Sequence, residues 1–395
     1  MKGKNIVIVG QQPWDIDIGS NAKNIAMEFA RDNKVLYVNA PLDRITILKK
    51  RHDPKVKKRI EILRGKKQHL EKIDDNLWNL YPRMVAESAN WIRIHWIFKA
   101  FNWWNNKKFA KEIKLAMREI GFDKFILFND SLMFRGFYLK ELLHPEKYIY
   151  YTRDYLIIQP YFKRHGEKLE GQLMSKSDLV VANSTYLKDY AGKFNRDSFY
   201  VGQGCEVSGF DDTKITNVPA DIARIKRPVI GYVGYLTAMR LDLQLIAYMA
   251  SARPDWSIAL VGPEDEAFQK SQLHALPNVH FLGAKETTGL PDYVQQFDVC
   301  INPQIVNMLT IGNYPRKIDE YLAMGKPVVA SKTKAMEVFA EYVYLSDTHD
   351  EFVEMIERAL AENTNDKYEA RKKFANSHTW ENSVDEIYKA IEIAG

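Results

Sequence analysis

The sequence predicts an α/β protein built from two doubly wound, Rossmann-like domains of parallel sheet that face each other across a cleft. Short apolar runs alternate with helical patterns through both halves of the chain, which is typical of parallel sheets covered by helices on both faces. A looser stretch with Gly, Asp and Pro interrupts this alternation at residues 206–227. With 395 residues the chain is long enough for two cores. We predict a first domain over 1–205, a second over 206–379, and a last segment, 380–395, that can pack back on the first.

The first domain begins with a short apolar strand at residues 5–9 (NIVIV). A helix follows at residues 20–31, with Ile25, Ala26 and Phe29 on its apolar face. Further strands are predicted at residues 35–38, 124–128, 148–151, 179–182 and 199–201, and further helices at 162–175 and 185–193. Strands that alternate with helices in this way form a parallel sheet.

The second domain restarts the same pattern. Strands are predicted at residues 229–233, 257–261, 279–282, 299–302, 328–330 and 342–345, with helices that begin near Leu241, Glu264, Thr288, Pro315 and Asp350. Ligands of open α/β sheets bind at the carboxyl ends of the strands. We therefore expect the functional residues at strand ends, in the cleft between the domains.

The composition, with 46% hydrophobic and 27% charged residues, is ordinary for a soluble globular protein. No apolar run approaches the roughly 20 residues that cross a bilayer, and the N-terminus leads straight into a strand, so we expect a cytoplasmic protein. Cys205 and Cys300 lie far apart, without the spacing of a zinc site or a disulfide framework. A net charge of +5 is too small to indicate nucleic acid, and no nucleic-acid partner is predicted.

The most informative segment is residues 312–331, GNYPRKIDEYLAMGKPVVAS. Asn313 can cap a helix, Pro315 is tolerated in the first turn, and the Gly-Lys-Pro at 325–327 ends the helix before a buried strand. Helical spacing places three polar side chains on the accessible side, Arg316, Lys317 and Glu320.

Two cations in the first turn of a helix are unfavourable by themselves, because the free N–H groups there already concentrate positive potential. A bound anion would reverse that penalty, and phosphate is the usual ligand of such a site. Glu320 lies about 5 to 8 Å further along the helix, a distance that suits a ribose whose phosphates reach the helix end. The alternative is ordinary surface ion pairs of Glu320 with Arg316 or Lys317, worth roughly a few tenths of a kcal/mol.

Glycines follow three successive strands of the second domain. Gly234 follows the first, with Arg240 shortly before the next helix, Gly262 follows the second, and Gly283 closes the third. A glycine at a strand end lets the backbone approach a ligand, and an arginine can bind phosphate oxygens with two donors. The backbone at Gly262 and Gly283 is suited to holding a base, although turn and core chemistry explains these glycines nearly as well.

Residues 315–329, PRKIDEYLAMGKPVV, contain the pattern P-x-K-x-x-E-Y-L-A-x-G-K-P-V-V. With this pattern the chain resembles glycosyltransferases of the GT-B fold, specifically the large retaining family numbered four, over nearly its whole length. Three further family-like features are Val261-Gly262-Pro263, DLVVANS at 178–184, and Gly204-Cys205-Glu206 followed by Phe210. The resemblance implies transfer of a sugar, with retention, from a nucleoside diphosphate sugar to a glycan or lipid-linked glycan in cell-surface polysaccharide synthesis.

The resemblance also assigns residues to the site. Glu320 is assigned to the ribose hydroxyls of the donor, and Arg240 and Lys317 to its diphosphate, where they stabilise the leaving group. The other donor-binding residues are Gly234, Gly262, Gly283, Asn313, Tyr314, Pro315 and Arg316. The implied donor is a UDP or GDP sugar, and no metal ion or other cofactor is required because these positive groups stabilise the diphosphate.

The chain departs from the family at two positions. Many relatives have a second glutamate eight positions before the ribose one, and here Gly312 stands in its place, which leaves the contacts to the transferred sugar undefined. Arg153 stands where a histidine is expected before Asp154. We assign Asp154 as a contact to the acceptor or to the transferred sugar.

The loop after the first strand, residues 10–20, is assigned to the acceptor side of the cleft, with Gly10, Asp17 and Gly19 as its contacts. Such a loop can place an acceptor or meet the donor phosphates through the helix start. Asp15 and Asp17 also spell D-x-D, the metal-binding signature of the other glycosyltransferase fold. They lie far in sequence from the donor segment, and we predict no metal site.

Basic charge precedes a run of tryptophans in the first domain. Residues 44–72, from Arg44 to Lys72, contain twelve Lys or Arg, and residues 91–104, from Trp91 to Trp104, are mostly aromatic or aliphatic. A narrow polar stripe crosses the second stretch, formed by His95, Lys99, Asn102 and Asn106. Basic charge beside tryptophans is typical of a helix on an anionic membrane and predicts peripheral contact with the inner membrane face. A core helix behind a solvated basic loop is an equal alternative.

Two other functions are compatible with the sequence. A nucleotide-sugar 2-epimerase on the same fold would convert its donor without an acceptor. A non-catalytic relative would bind a nucleotide or scaffold an assembly, an alternative that Gly312 keeps open.

Overall fold

The computed structural model describes residues 1–16 and 19–394, and the chain divides into two compact units. Unit 1 consists of residues 1–202 and 383–395, and unit 2 of residues 203–382. Each unit contains one largely or wholly parallel sheet with helices. The predicted α/β class with two parallel sheets is therefore confirmed.

Among the described residues, the sheet of unit 1 has eight strands. They are β1 (Asn5–Gly10), β2 (Lys34–Asn39), β3 (Leu70–Asp74), β4 (Leu77–Leu80), β5 (Ile126–Asp130), β6 (Lys147–Thr152), β7 (Leu179–Ala182) and β8 (Ser198–Tyr200). Their order is β3-β4-β2-β1-β5-β6-β7-β8, and only the pair of β3 with β4 is antiparallel. The helices are α1 (Asn21–Asp32), α2 (Arg44–Lys49), α3 (Pro54–Leu63), α4 (His95–Glu119), α5 (Leu139–Leu143), α6 (Pro160–Lys176) and α7 (Thr185–Gly192).

The sheet of unit 2 has six parallel strands in the order β11-β10-β9-β12-β13-β14. They are β9 (Val229–Val233), β10 (Ser257–Val261), β11 (Val279–Gly283), β12 (Val299–Asn302), β13 (Val328–Ser331) and β14 (Tyr344–Ser346). The helices are α8 (Leu243–Ala252), α9 (Glu266–Gln269), α10 (Leu290–Gln296), α11 (Lys317–Ala323), α12 (His349–Ala361) and α13 (Asn365–Ser377). A last helix, α14 (Trp380–Ile393), returns the chain to unit 1 from Ser383 onward.

The central strands are apolar on both faces because each sheet carries a core on either side. β10 reads SIALV and all its residues are buried, and β1 is buried from its second residue onward. Strands with this composition are expected where both faces of a parallel sheet are covered. The helix starts show ordinary side-chain caps, such as Ser184 Oγ, which accepts from the Leu187 N–H at 3.3 Å.

The alternative to membrane contact was a solvated basic loop at residues 44–72, followed by a core helix. The structure contradicts the loop part of this alternative. The stretch forms α2, α3 and most of β3. Asp53 caps α3 by accepting from the Lys55 N–H at 2.8 Å, and Pro54 occupies the first helical position. The sequence reading missed these elements because the high lysine content hides the few buried positions, Val56 and Ile62 in α3.

In helix α4 the two asparagines of the polar stripe, Asn102 and Asn106, are turned inward together with Asn105, whereas His95 and Lys99 are half-buried. Asn102, Asn105 and Asn106 are 3%, 6% and 0% exposed, whereas Trp96 and Trp104 are 72% and 51% exposed. The buried amides bind loop backbone: Asn106 Nδ2 donates to the Phe134 carbonyl at 3.0 Å, and Asn105 Nδ2 to that of Glu87 at 2.9 Å. Polar side chains with such partners are stable inside a core. The described helices include none that is long and apolar enough to cross a membrane.

Candidate active site

The candidate site of unit 2 lies where its strand order reverses. The order runs outward from β9 in one direction and from β12 in the other, so the crevice at their carboxyl ends is the expected ligand position. The loops that follow these two strands are joined by a hydrogen bond from the Ile305 N–H to the Arg240 carbonyl, 2.9 Å long. The structure therefore brings the predicted Arg240 to this edge of the sheet.

Three predicted glycines form a hydrogen-bonded row along the same edge. The Gly234 N–H donates to the Val261 carbonyl at 2.9 Å, and the Gly262 N–H donates to the Gly283 carbonyl at 2.9 Å. Gly262 has a φ of +149°, and a Cβ at this position would lie 1.8 Å from the Gly234 carbonyl oxygen. The backbones at the ends of β9 and β10 thus approach each other more closely than any side chain allows.

Lys317 lies against this row. A Cβ on Gly234 would be 2.8 Å from the Lys317 Nζ, so the glycine makes room for the ammonium group. The ammonium donates a hydrogen bond to the Tyr232 hydroxyl and lies 4.0 Å from the centroid of that ring. Because Tyr232 is 3% exposed, its ring is a fixed wall that holds the cation at the strand end.

Glu320 lies one helical turn after Lys317 and is half-buried. Its carboxylate accepts no hydrogen bond from the part of the chain that the structure describes, and neither Arg316 nor Lys317 comes within the 4.0 Å of an ion pair. Burial raises the pKa of the Glu320 carboxyl, while Arg316 and Lys317 pull that pKa down. The surface ion pairs that the sequence left open are therefore not formed, and an acceptor group is left without a protein donor.

Arg240 and Asn302 add polar groups to the edge. The half-buried Arg240 makes no ion pair with the residues that the structure describes. Asn302, the last residue of β12, is 0% exposed, and within the described chain neither of its amide atoms has a hydrogen-bond partner. The sequence reading missed Asn302, although a polar residue at the end of the apolar run VCIN was a signal for it.

The helix of the donor segment starts later than predicted. α11 begins at Lys317, its cap residue Arg316 makes no side-chain capping bond, and Pro315 precedes the helix. Asn313 is not the cap, because its N–H donates to the Thr310 carbonyl at 3.0 Å and closes a separate turn. α11 has only seven residues, so the N–H groups at its start are not by themselves an anion site. The side chains of Lys317 and Arg240 are the groups available to bind an anion here.

Tyr314, also assigned to the donor site, has its side chain in the core of unit 2. The ring lies 5.1 Å from that of Phe339, and its hydroxyl bonds His378 Nδ1 at 3.0 Å. His378 in turn pairs with Asp319 at 2.7 Å, and Cys205 Sγ donates to Asp319 at 3.0 Å. This buried cluster, which the sequence reading missed, fixes α11 to the segment that begins unit 2.

Two of the residues assigned in unit 1, Gly10 and Asp154, lie at or just after the ends of its central strands. Gly10 at the end of β1 pairs in register with Asp130 at the end of β5. Arg153, just after β6, binds Asp130 at 2.8 Å and Asp154 at 3.3 Å. Burial lowers the pKa of Arg153, but the two carboxylates outweigh burial and raise it. Asp130 is 0% exposed and was missed, although it follows directly on the apolar run ILFN.

The first-strand loop is only partly described. Gly19 is exposed and precedes Ser20, the cap of α1, whereas Asp17 lies outside the described residues. Asp15 makes an ion pair with Arg59 at 3.6 Å. Over residues 1–16 and 19–394, no three His, Cys, Asp or Glu side chains are grouped so that they could hold a metal ion.

Comparison with known proteins gives a family match to part of the chain. Residues 227–362 match the family model of Glycosyl transferases group 1. A curated relative, the putative teichuronic acid biosynthesis glycosyltransferase TuaH of Bacillus subtilis (strain 168), is 28% identical over 233 residues, which cover 56% of this chain. The match spans 58% of the length of that relative.

Solved structures resemble the chain over nearly its whole length. Sucrose-phosphate synthase from Thermosynechococcus elongatus has 14% identity and a TM-score of 0.67, covering 99% of this chain and 100% of its own. Anabaena HepE in complex with UDP has 15% identity and a TM-score of 0.63, covering 98% and 99%. These structural neighbours are GT-B glycosyltransferases, which confirms the predicted fold class.

Proposed function

We propose that the protein is a nucleotide-sugar-dependent glycosyltransferase, with the donor bound at the strand ends of unit 2 and a glycan or lipid-linked glycan as acceptor. The observation that carries the proposal is the pair formed by Lys317 and Glu320. Lys317 is a cation held against Gly234 by Tyr232. Glu320 is a half-buried carboxylate that accepts no hydrogen bond from the described residues. A nucleoside diphosphate supplies the matching groups, phosphate oxygens for the cation and ribose hydroxyls for the carboxylate.

Relatives support the choice of donor. The group 1 match at residues 227–362 includes β9, the glycine row and α11. HepE was solved with UDP and glucose, and an E. coli trehalose-6-phosphate structure with UDP-2-fluoro glucose. We therefore prefer a UDP sugar, with a GDP sugar as the second choice, and polysaccharide synthesis as the setting because TuaH is named for teichuronic acid biosynthesis.

The chemical step is a substitution at the anomeric carbon of the donor sugar. The bond from that carbon to the diphosphate oxygen breaks, a bond to the acceptor oxygen forms on the same face, and the acceptor proton passes to the departing diphosphate. Lys317 and Arg240 stabilise the negative charge that develops on the leaving group. Asp154 and the loop of Gly10 and Gly19 are assigned to the acceptor and the transferred sugar. The proposal also includes membership of the glycosyltransferase family numbered four and retention of the anomeric configuration.

Replacing Glu320 by alanine is expected to weaken donor binding by about ten- to a hundredfold, the loss of one or two hydrogen bonds to a charged group. Titration calorimetry with UDP on wild type and Glu320→Ala measures the change. Glu369→Ala is the matched control, because Glu369 is an exposed glutamate of α13 in the same unit. Equal affinity in all three proteins would contradict the ribose assignment.

The function itself is tested by incubating the protein with a panel of UDP and GDP sugars and measuring released nucleoside diphosphate and the sugar product. A transferase releases diphosphate, and adding a glycan acceptor increases the rate. An epimerase instead yields the epimeric sugar without acceptor. Binding without any turnover across the panel would favour the non-catalytic alternative.

We also propose that α4 brings unit 1 to an anionic membrane. Its outer face begins with the exposed aromatic residues Trp96, Phe101, Trp103 and Trp104 and continues with the exposed cations Lys107, Lys111, Lys114 and Arg118. Lys107 Nζ lies 5.0 Å from the Trp103 ring centroid, so charge and aromatic surface adjoin. Aromatic rings at the headgroup level beside cations suit an anionic bilayer surface.

Co-sedimentation with vesicles tests this contact. Wild type is expected to pellet with phosphatidylglycerol-containing vesicles at low salt, and less with pure phosphatidylcholine vesicles. The double variant Trp96→Ala/Trp104→Ala should stay in the supernatant. Ile393→Ala, which removes a 72% exposed side chain from α14, is the control that should still pellet. Failure of wild type to pellet with the anionic vesicles would contradict the proposal.

A further inference from the structure

Unit 1 contains a cavity of about 510 Å³ that is lined by none of the residues assigned to the donor or to the acceptor. Its walls come from segments that follow four strands: Asp43 follows β2, Trp91 follows β4, Arg135 follows β5, and Tyr161 follows β6 in the first turn of α6, while α4 contributes Phe98, Asn102 and Asn105. These strands lie on both sides of β1 in the sheet order. Loops from both directions of a parallel sheet thus meet at its carboxyl edge, where α/β folds bind their ligands.

Aromatic rings form the apolar part of the cavity wall. Trp91 and Tyr161 are 68% and 53% exposed, and Phe98 and Phe134 are buried behind them. The Phe134 ring packs edge-on against Phe98 at 5.6 Å and against Tyr161 at 6.1 Å between centroids. The buried rings of Phe98 and Phe134 support the wall, and the exposed rings of Trp91 and Tyr161 offer a flat apolar surface to a ligand that is apolar on one face.

The charged groups of the cavity are already paired within the protein. Arg135 binds Asp43 at 3.0 Å, and Arg44 binds Glu87 at 2.6 Å. Arg164 donates to the carbonyls of Asn90 and Trp91 at 3.3 and 3.1 Å. A phosphate or carboxylate ligand would have to displace these partners, so the cavity does not favour an anion.

Two buried amide atoms at the cavity are the groups without partners in the described chain. Asn102, 3% exposed, has a free donor at Nδ2, and Asn90 has a free acceptor at Oδ1. Asn102 is held by α4, where its Oδ1 accepts from Asn106 Nδ2 at 3.4 Å. A buried donor and a buried acceptor are costly to leave unpaired, and hydroxyl groups can satisfy both because they donate and accept.

We propose that this cavity binds an uncharged sugar residue of the acceptor glycan. The sugar places one face on Trp91 and Tyr161, its hydroxyls bond Asn102 Nδ2 and Asn90 Oδ1, and the paired arginines and carboxylates select against a charged residue. The inference rests on the proposed glycosyltransferase function and gives the acceptor a binding site separate from the loop of Gly10 and Gly19.

The probes are methyl glycosides of glucose, N-acetylglucosamine and glucuronic acid, titrated into the full-length protein by ligand-observed NMR. The neutral glycosides are expected to bind and the glucuronide not to bind. Trp91→Ala and Tyr161→Ala should each weaken neutral-glycoside binding by about three- to tenfold, the value of one aromatic contact. Tyr248→Ala, which removes an exposed tyrosine of α8 in unit 2 and outside the cavity, should leave binding unchanged.

UDP is titrated into the same proteins as a separate measurement. Unchanged UDP affinity in Trp91→Ala and Tyr161→Ala shows that the donor site in unit 2 is independent of the cavity, and wild-type circular dichroism and melting curves show that unit 1 of both variants is folded. The proposal is overturned if no neutral glycoside binds wild type, if both cavity variants bind like Tyr248→Ala, or if the glucuronide binds in place of the neutral sugars. Failure of the wild-type protein to bind UDP would instead contradict the proposed function.

Discussion

Replacing Lys317 by alanine is expected to lower the rate of nucleoside diphosphate release by more than about tenfold, because the variant loses a cation placed to stabilise the leaving group. The effect should fall mainly on kcat, since the charge of the diphosphate increases as the bond to the sugar breaks. Diphosphate release from a UDP sugar measures it. Arg240→Ala is expected to act in the same direction through the neighbouring loop.

Lys270→Ala provides the matched control for this measurement. Lys270 is an exposed lysine of unit 2 that pairs with Glu266 on the surface, so its loss removes the same charge without touching the strand ends. The control should keep the wild-type rate. Equal rates in Lys317→Ala and Lys270→Ala would show that Lys317 contributes only to net charge.

Replacing Gly262 by alanine is expected to destabilise unit 2 by about 3 kcal/mol or more, because the new Cβ would overlap the backbone of Gly234 and no side chain is available to move away. Gly262 also has a φ of +149°, which L residues rarely adopt. Chemical denaturation followed by tryptophan fluorescence measures the loss of stability. UDP affinity should fall together with stability, since the same backbone forms the site.

Gly283→Ala separates the steric effect from the backbone effect. Gly283 has a φ of +69°, but a Cβ there meets no atom within 4 Å, so only the left-handed backbone is penalised, by about 1 kcal/mol. Gly262→Ala should therefore be clearly the less stable of the two. If the two variants were equally stable, the close contact between Gly262 and Gly234 would not exist in solution.

The sequence predicted most strands well because they are short apolar runs between glycines, prolines and polar turns. β7, β9, β10 and β12 have the bounds that were predicted. β3, with the sequence LEKID, was missed because it is an antiparallel edge strand with three charged residues, Glu71, Lys72 and Asp74, and no buried one. Edge strands lack the continuous apolar run that makes a central parallel strand recognisable.

In the candidate site, only residues that lie close together in the sequence could be predicted to lie close together in the structure. Lys317 and Glu320 were found because helical spacing and a family pattern place them together. The partnership of Asp319 with His378 was not predictable, since the two residues are 59 positions apart and only the tertiary fold joins them. The start of α11 was predicted two residues early, because the turn closed by Thr310 and Asn313 competes with the cap.

The direction of the polar stripe on α4 could not be read from its spacing. Periodicity predicts which residues share a face but not which face is buried. Asparagines usually lie at the surface, and here Asn102, Asn105 and Asn106 lie inside because loop backbone and neighbouring side chains bind them. The same inversion leaves the tryptophans exposed and places Asn102 at the wall of the cavity in unit 1.

The donor site in unit 2 is tested most directly by hydrogen–deuterium exchange of the protein with and without UDP. Bound UDP is expected to slow exchange of backbone amides at residues 233–235, 261–262 and 316–321, and Glu320→Ala is expected to weaken this protection at a given UDP concentration. The cavity of unit 1 should be unaffected. UDP binding that leaves these three segments unprotected, or protection confined to unit 1, would contradict the assignment of the nucleotide to the strand ends of β9 and β10 and to α11.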